Sequence, residues 1–375
     1  MGLRSALLSA ALTLTCGSAV HAADITWQVA YPAPGGHYRG VTAVSPADAW
    51  ATGFTAGPAP LLQHWDGTHW TDFPPPVGDR CGDPGESCVA DGIDASSASN
   101  AFAVVRDGSH QVGTLVWHWD GNHWDDLPTP DPPTQSFAFF ASPSVKAFSA
   151  TDAWLIGFAS LPTGELTTAA VHWDGLRWTR FPTPEPGVHQ NVLQAVAGTA
   201  PDDVWAGGYW TTGSGHHSVS HSLLLHFDGH AWTQSPAPDS ATGSSPVTAV
   251  VALSRTDAWA GTVDGAMLHW DGTAWTVAAT GIPTRSMTAL SARDIWAAPD
   301  SGDVVHHFDG AAWSAVTLPL VAPTAGRVTP LAPPVPAHYQ LAAAASAGPG
   351  TVWFVGDYVP PSTEGQAVVV STGTG

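Results

Sequence analysis

The chain has 375 residues, and only 11% of them are charged. Because ordinary soluble domains contain about 25% charged residues, this composition excludes a coiled coil or a charged tail. The net charge of −20 repels polyanions, so we expect neither nucleic acid nor an anionic lipid surface as a partner.

Residues 1–22 predict a secretory signal. Arg4 supplies a short positive region, Ala6–Leu14 is apolar, and small residues near Ala22 suit a cleavage site. The apolar stretch is too short to span a bilayer and nothing later is long enough, so we expect no membrane span. Cys16 follows a poor lipoprotein motif, which disfavours a lipid anchor. The sequence therefore predicts a secreted monomer, either extracellular or periplasmic.

The exported chain retains two cysteines, Cys81 and Cys88, in the loop CGDPGESC. Two cysteines so close together in a Gly/Pro-containing loop of an exported protein predict a local disulfide. A zinc site would need more ligands at close spacing than this loop offers. We expect neither a metal ion nor another cofactor.

Two short motifs recur along the chain, and their repetition determines the predicted architecture. The first is HWDGTHW at His64, with relatives that begin at His118, His172, His226, His269 and His307. The second has the form DAW and begins at Asp48, Asn100, Asp152, Asp203, Asp257 and Asp294. A seventh copy of the second motif, TVW at Thr351, belongs to a repeat that lacks its last part.

The first repeat predicts four short strands, which we name A to D. They cover Val41–Ser45, Ala49–Phe54, Leu61–Trp65 and Trp70–Phe73. The turn between strands C and D carries Asp66-Gly67, a pair that favours a tight hairpin. Strand D runs into proline-rich segments in several repeats, and a sheet tolerates proline only at an edge. Strand D is therefore the predicted outer strand.

The N-terminal segment supplies the strand that the last repeat lacks. Trp27 occupies the position that Trp70 has in the first repeat, and prolines follow it. Pairing of this segment with the last repeat closes a ring and removes exposed sheet edges. The sequence thus predicts an all-β, seven-bladed β-propeller of four-stranded blades, forming one domain over residues 24–375. The blades cover approximately 41–73, 89–127, 143–183, 191–237, 246–280, 286–319, and 340–372 completed by 25–33.

In these motifs the chain resembles bacterial secreted seven-bladed β-propellers with HWDGxxW-type repeats. The G-x-x-W turn also resembles the Asp-box hairpin of sialidase-like propellers, although its spacing from Asp to Trp is one residue shorter. The repeats carry neither the Gly-His partner of WD40 repeats nor the diglycine that ends strand B in kelch repeats, so the likeness to those propellers concerns the fold alone. Since propellers include lectins, lyases, hydrolases and scaffolds, the resemblance leaves the function open.

The connections between strands predict which face of the ring carries the site. The A–B and C–D turns are short and nearly uniform, whereas the B–C and D–A connections vary in length and content. Variable loops on a rigid scaffold commonly carry binding residues. The long variable segments are 74–90, 128–142, 211–222 and 319–339. We therefore expect the site on that face, near the central axis.

Alignment of the strand A segments predicts two rings of side chains around the axial channel. The first ring contains Arg39, Asp91, Pro143, Asn191, Ser245, Arg285 and Tyr339. The second ring contains Thr42, Asp94, Lys146, Gln194, Thr248, Thr288 and Ala342. His37, Tyr38, His189 and His338 lie just before or beside the first ring in sequence. Lys146, the only lysine, is one blade from Asp94, and we interpret the two as an ion pair in the channel.

These positions give the candidate site. The predicted ligand-binding residues are Arg39, His189, Arg285, Tyr339, Asp94 and Lys146, and the candidate catalytic residues are His37, Tyr38 and His338. Aromatic rings stack on sugar faces and arginine binds carboxylates as a fork, so the first hypothesis is binding of a carbohydrate, possibly anionic. An alternative is a polysaccharide lyase or glycosidase that uses His, Tyr and Arg at the channel mouth. A second alternative is an extracellular protein-interaction scaffold.

The remaining histidines and aspartates favour structural roles. The motif histidines recur once per repeat, so we expect each to bond a neighbouring backbone group or the turn aspartate. The turn aspartates shape their hairpins. His216, His217 and His221 could supply metal ligands, but their Gly/Ser-rich segment offers no carboxylate, and a flexible polar loop is the favoured interpretation.

Overall fold

The computed structural model describes residues 26–30, 36–57, 59–76, 81, 88–107, 113–128, 136–138, 145–213, 217–238, 245–319, 338–348, 350–359 and 366–373. The predicted secretory signal lies outside these residues. Within the described ranges, no helix is long and apolar enough to cross a membrane.

The described chain forms 29 β-strands in seven antiparallel sheets, one sheet per blade. The strand completing blade seven is β1 (Thr26–Ala30). Blade one contains β2 (Gly36–Ser45), β3 (Asp48–Thr55), β4 (Pro60–Trp65) and β5 (Trp70–Asp72). Blade two contains β6 (Cys88–Ser97), β7 (Asn100–Asp107), β8 (Gly113–Trp119) and β9 (Trp124–Leu127). Blade three contains β10 (Ser136–Ala138), β11 (Val145–Ser149), β12 (Asp152–Ser160), β13 (Leu166–Trp173) and β14 (Trp178–Phe181).

The other blades follow the same order. Blade four contains β15 (Asn191–Ala200), β16 (Asp203–Thr212), β17 (Val219–Phe227) and β18 (Trp232–Gln234). Blade five contains β19 (Val247–Ser254), β20 (Asp257–Thr262), β21 (Met267–Trp270) and β22 (Trp275–Ala279). Blade six contains β23 (Ser286–Ser291), β24 (Asp294–Ala298), β25 (Val304–Phe308) and β26 (Trp313–Thr317). Blade seven contains β27 (His338–Ser346), β28 (Val352–Val359) and β29 (Gln366–Gly373), with β1 outermost.

The predicted all-β, seven-bladed propeller is confirmed, including its closure by the N-terminal strand. β1 pairs antiparallel with β29, and Trp27 lies opposite Thr372. The Trp27 ring meets Trp296 of blade six edge-on, with centroids 5.8 Å apart. The first and last strands, β1 and β29, therefore belong to one sheet, and this sheet packs on blade six.

Tryptophans fill the space between neighbouring blades. Trp50 is buried in blade one and lies 5.1 Å from the rings of both Trp119 and Trp124 in blade two. The Trp50–Trp124 pair is nearly perpendicular, an arrangement that places the positive edge of one ring over the negative face of the other. Blades four and five repeat this contact through Trp205 and Trp275. Large rings are thus repeated because each fills the wedge-shaped gap between two twisted sheets.

The motif histidines differ from expectation in their bonding partner. His64 Nε2 lies 2.9 Å from Asp48 Oδ1, the aspartate of the second motif at the start of strand B, and not from the turn aspartate. The same imidazole packs on the Trp50 ring at 4.5 Å. Blade two preserves the geometry with Asn100, which lies 2.7 Å from His118. The two motifs are therefore halves of one structural unit that links strands B and C.

The turn aspartates shape their hairpins, as expected. Asp66 Oδ1 accepts hydrogen bonds from the backbone N–H groups of Thr68 and His69, both at 2.8 Å. Gly67 has a φ of 95°, which the turn requires and which residues other than glycine rarely adopt. The predicted disulfide between Cys81 and Cys88 is also confirmed.

Candidate functional site

The innermost strands of most blades contain a β-bulge near the start. In blade one, Tyr38 and Gly40 pair with consecutive residues of β3, so Arg39 is the extra residue. Asp91 is the extra residue of β6 in the same way. A bulge removes its extra residue from the sheet ladder and re-aims the side chain. The corresponding residues of blades four, five and seven are Gln194, Thr248 and Ala342.

These bulges correct the alignment made from sequence. Thr42 pairs with Trp50, and the residue that pairs with the corresponding Trp205 of blade four is Ala197, not Gln194. The same three-residue shift applies to blades five and seven, where Val251 and Ala345 pair with the motif tryptophans. Gln194, Thr248 and Ala342 therefore belong to the ring of Arg39. Residues Asn191, Ser245 and Tyr339, which the sequence alignment placed there, are buried elsewhere.

Arginines from three blades line one small cavity at the axial channel. Its volume is about 240 Å³, and it lies where strands A begin and strands B end, on the face of the variable loops. The predicted pair Arg39 and Arg285 both line it. The other lining residues are Asp91, Arg106, Asp300, Gln340, Leu341 and Ala342. Blades one, two, six and seven thus contribute to a single polar site.

Asp91 forms the electrostatic centre of this arginine cavity. Arg106 holds it through two contacts, Nε to Oδ2 at 2.9 Å and Nη2 to Oδ1 at 3.0 Å. Burial raises the pKa of Asp91, although the charges of Arg106, Arg39 and Arg285 all act to lower it. All three guanidinium groups are therefore close enough to act on this carboxylate.

The positive charges of Arg39 and Arg285 are only weakly compensated by nearby carboxylates, so both can bind an anionic ligand. The Arg39 guanidinium lies over the Phe54 ring at 5.2 Å, and within the described residues it forms no ion pair. Arg285 Nε is 3.9 Å from Asp300 Oδ1, but the Asp300 side chain is 84% exposed, so water screens this contact. The lining carries three guanidinium groups and two carboxylates, a surplus of one positive charge in a chain of net charge −20.

His37 lies beside the arginine cavity without lining it. Its Nδ1 is 3.1 Å from Asp357 Oδ2 in blade seven, and its ring stacks on Phe54 at 4.7 Å. His37 and Arg39 therefore pack on the same phenyl ring. The side chain of His37 is 27% exposed, and the contact with Asp357 joins the first and last blades.

The two candidate tyrosines do not face the channel. Tyr38 is fully buried, and its hydroxyl donates a hydrogen bond to Gln63 Oε1. Burial raises the pKa of Tyr38 far above its ordinary value, with a smaller contribution from the charge of Asp72. Tyr339 is also fully buried, and its hydroxyl donates to the carbonyl of Pro319. Because side chains alternate between the two faces of a strand, both rings point into the core. The prediction that they lie at the channel mouth is therefore wrong.

The two remaining candidate histidines lie outside the arginine cavity. The His189 side chain is 47% exposed, and its Nδ1 is 3.9 Å from Glu165 Oε1 near blade three. It is five residues before Gln194, the residue of blade four that belongs to the ring of Arg39. His338 begins β27 opposite Val359, four residues before Ala342. Neither histidine is among the described residues that line the arginine cavity.

Lys146 and Asp94 form the expected ion pair. Lys146 Nζ is 2.9 Å from Asp94 Oδ2, which also accepts the backbone N–H of Ala147 at 2.8 Å. Thr42 donates to the other oxygen of Asp94 at 3.2 Å. The pair borders a second cavity of about 190 Å³, which is lined mostly by aliphatic side chains such as Val251 and Met287. With these partners, Asp94 links blades one, two and three.

Histidines elsewhere in the described chain form no site with these residues. His221 lies on β17, stacks on Trp210 at 4.2 Å and has its Nε2 3.0 Å from Thr212 Oγ1. His216 falls outside the described residues. His123 contacts Asp120 and Asp125 on the opposite face, and all three residues are exposed.

Three lining residues of the arginine cavity, Arg106, Asp300 and Gln340, are not among the candidates predicted from the sequence. Arg106 is near the end of β7, directly after the buried Val104 and Val105. The sequence feature that could have indicated Arg106 is a charged residue at the end of strand B that faces the variable loops. This feature was missed because the lining residues come from four blades and are far apart in sequence.

The fold is similar to that of several solved β-propellers. A structure of YCF48 bound to a D1 peptide matches with a TM-score of 0.57 at 12% identity, over 93% of this chain and 97% of that chain. YCF48 from Cyanidioschyzon merolae matches with a TM-score of 0.55 at 14% identity, over 92% and 98% of the two chains. The WD40 propeller domain of Doa1 matches with a TM-score of 0.52 at 10% identity, over 94% and 98%.

At these identities, the similarity shows the propeller fold alone. No protein-family model matches the chain, and no curated protein matches it. The resemblance to secreted propellers with HWDGxxW-type repeats is therefore confirmed for the fold and stays a prediction for the family.

Proposed function

We propose that this chain is an exported binding propeller whose arginine cavity holds a carboxylate of a protein partner. The observation that carries this proposal is the convergence of Arg39 and Arg285, from blades one and six, on one cavity. Planar guanidinium groups bind carboxylates as a fork, with charge-assisted hydrogen bonds. The surplus positive charge of the lining attracts an anionic group to this spot on an otherwise acidic molecule.

The size of the cavity favours a side group of a larger partner. Pockets that enclose a whole small molecule usually measure about 300–1,000 Å³, whereas this cavity measures about 240 Å³. An aspartate or glutamate side chain needs less room than a sugar ring with its substituents. The propeller of YCF48, which shares the fold, has been solved with a D1 peptide, so the architecture is compatible with peptide partners.

Carbohydrate binding has lost part of its support. The sugar-stacking argument rested on Tyr38 and Tyr339, and both rings are buried. The arginine pair would still suit a uronate, so an anionic glycan is retained as an alternative ligand in the test. A lyase would need a proton donor beside His37, and Tyr38 is enclosed in the core, which supports binding without turnover.

The test compares blocked peptides rich in glutamate with oligosaccharides of uronic acids, both titrated calorimetrically into the protein. We expect the acidic peptides to bind, and the double variant Arg39→Gln/Arg285→Gln to bind at least about 100-fold more weakly, since each of the two charge-assisted bonds contributes roughly 1.5–3 kcal/mol. The control is Arg177→Gln, which makes the same kind of change at a side chain that is 80% exposed on a C–D turn.

Three results would contradict the proposal. Binding of the uronic oligosaccharide but not of the peptides would favour the glycan. Unchanged peptide affinity in the double variant would remove the cavity from the binding site. Formation of unsaturated uronate, detected by ultraviolet absorbance, would identify a lyase.

A further inference from the structure

The arginine cavity contains a carboxylate of its own, which weakens the attraction of any anion. Asp91 is one of the bulged residues, and only 16% of its side chain is exposed. Arg106 contacts both of its oxygens, so the carboxylate is held in place and cannot turn away from an incoming ligand. A site built only for the tightest anion binding would not place a fixed, buried negative charge among its arginines.

The charge of the lining decides which anions fit best. Attraction to a positive site grows in proportion to the charge of the ligand, whereas the cost of removing the ligand from water grows with the square of that charge. A fixed negative charge that is poorly screened within the lining therefore shifts the preference toward a monoanion. Without the charge of Asp91 the positive charge of the lining would rise by one, and a dianion would gain twice as much from the change as a monoanion.

We propose that Asp91 is a specificity-determining residue that restricts the arginine cavity to monoanionic carboxylates and rejects dianionic phosphate groups. This inference rests on the proposed function of the same cavity. The partner group is thus an unmodified acidic side chain, and a phosphorylated side chain at that position would not bind. Selection of this kind relies on a repulsive element placed against the wrong ligand.

Asp300 lines the same cavity and provides the matched comparison. Its side chain is 84% exposed and lies 3.9 Å from Arg285, so water and salt screen its charge. Asp91 is partly buried, and its field is screened much less. Conversion of either aspartate to asparagine removes one negative charge with little change of shape, so the two variants separate the position of the charge from its amount.

The experiment uses two blocked peptides that differ at one residue, glutamate in one and phosphoserine in the other. At pH 7.5 the phosphoserine carries a charge of about −1.5 to −2. Affinities for both peptides are measured by calorimetry with the wild-type chain, Asp91→Asn and Asp300→Asn. Circular dichroism and urea unfolding verify that the variants are folded.

We expect the wild-type chain to prefer the glutamate peptide by at least about 10-fold, equivalent to about 1.4 kcal/mol. In Asp91→Asn the ratio of the two affinities should fall by a factor of about 10, so that the preference for glutamate disappears or is inverted. The main cause should be tighter binding of the phosphoserine peptide. Asp300→Asn should change the preference less than about 2-fold, because an exposed charge contributes little.

Each other outcome overturns the inference in a recognisable way. Wild-type protein that binds neither peptide contradicts the proposed function and the inference together. Wild-type protein that binds the phosphoserine peptide as well as the glutamate peptide, with both lost in the Arg39→Gln/Arg285→Gln variant, leaves the function intact and refutes the role of Asp91. Equal effects of Asp91→Asn and Asp300→Asn would assign the selectivity to net charge alone.

Discussion

Closure of the propeller depends on β1, and Trp27 is its main contact with the rest of the ring. Five residues of β1 pair in register with β29. Trp27 meets Trp296 of blade six at 5.8 Å and Phe354 of its own blade at 6.1 Å. Replacement of this one side chain, Trp27→Ala, therefore weakens both the last sheet and its contact with the preceding blade.

The contacts of Trp27 determine how much Trp27→Ala should lower the free energy of unfolding. Trp27 is partly buried, and re-exposure of ~100 Å² of apolar surface at ~25 cal/mol per Å² costs about 2.5 kcal/mol. The perpendicular contact with Trp296 adds about 0.5–1.5 kcal/mol. We therefore expect Trp27→Ala to lower the free energy of unfolding by about 3–4 kcal/mol. Deletion of residues 26–30 should cost more, because it also removes the pairing with β29.

Urea unfolding followed by circular dichroism measures this change. Gln28→Ala is the control on the same strand, since Gln28 is exposed and should change stability by less than about 0.5 kcal/mol. A Trp27→Ala variant with the urea midpoint of the wild-type chain would refute the closure argument. It would mean that the ring is held by the other six blades and that β1 only covers an edge.

Three further predictions concern the core, the disulfide and the turns. Tyr38→Phe should lower the free energy of unfolding by about 1–3 kcal/mol in urea, because it removes the hydrogen bond that the buried Tyr38 hydroxyl donates to Gln63 Oε1, yet it should not reduce peptide binding. Replacement of Cys81 and Cys88 by serine should cost about 2–3 kcal/mol on the chain-entropy model, and thiol counting on the unreduced wild-type protein should find neither cysteine. The Thr68 hydroxyl and the turn amides lower the pKa of Asp66 from its ordinary value of 3.8 to about 2. Its contribution to stability should therefore be present above pH 4 and be lost as the pH falls through 2, and Thr68→Ala should raise this pKa in a carboxyl NMR titration.

The repeated motifs made the fold predictable from the sequence. His64 and Asp48 recur together because they bond each other, and Trp50 recurs because it fills the gap to the next blade. Such contacts are local to one blade or its neighbour, so each repeat carries the same sequence signal. The predicted strands and the closure by Trp27 follow from that periodicity.

The site was predictable only in part, because its geometry depends on a residue that the repeat does not specify. The bulge adds Arg39 and Asp91 to their strands without any marker in the sequence. In blades four, five and seven the residues that flank the bulge are all small or aliphatic, so an alignment can slip by three residues unnoticed. Arg39 and Arg285 were aligned correctly, since both precede a threonine by three residues in blades without such ambiguity.

The location of the arginine cavity follows from the division between constant and variable positions. Residues beside the bulge, such as Tyr38 and Val41, are buried between blades and must suit the packing of the core. The bulged residue itself has left the ladder, and the repeat does not fix its residue type. Its identity changes from arginine to aspartate, glutamine, threonine and alanine around the ring, while the backbone that carries it is repeated. A position that is constant in geometry and variable in residue type can acquire a ligand-binding side chain without a change of fold. Arg39 and Asp91 stand at such bulges, and Arg285 lines the same cavity from blade six, where it directly precedes β23.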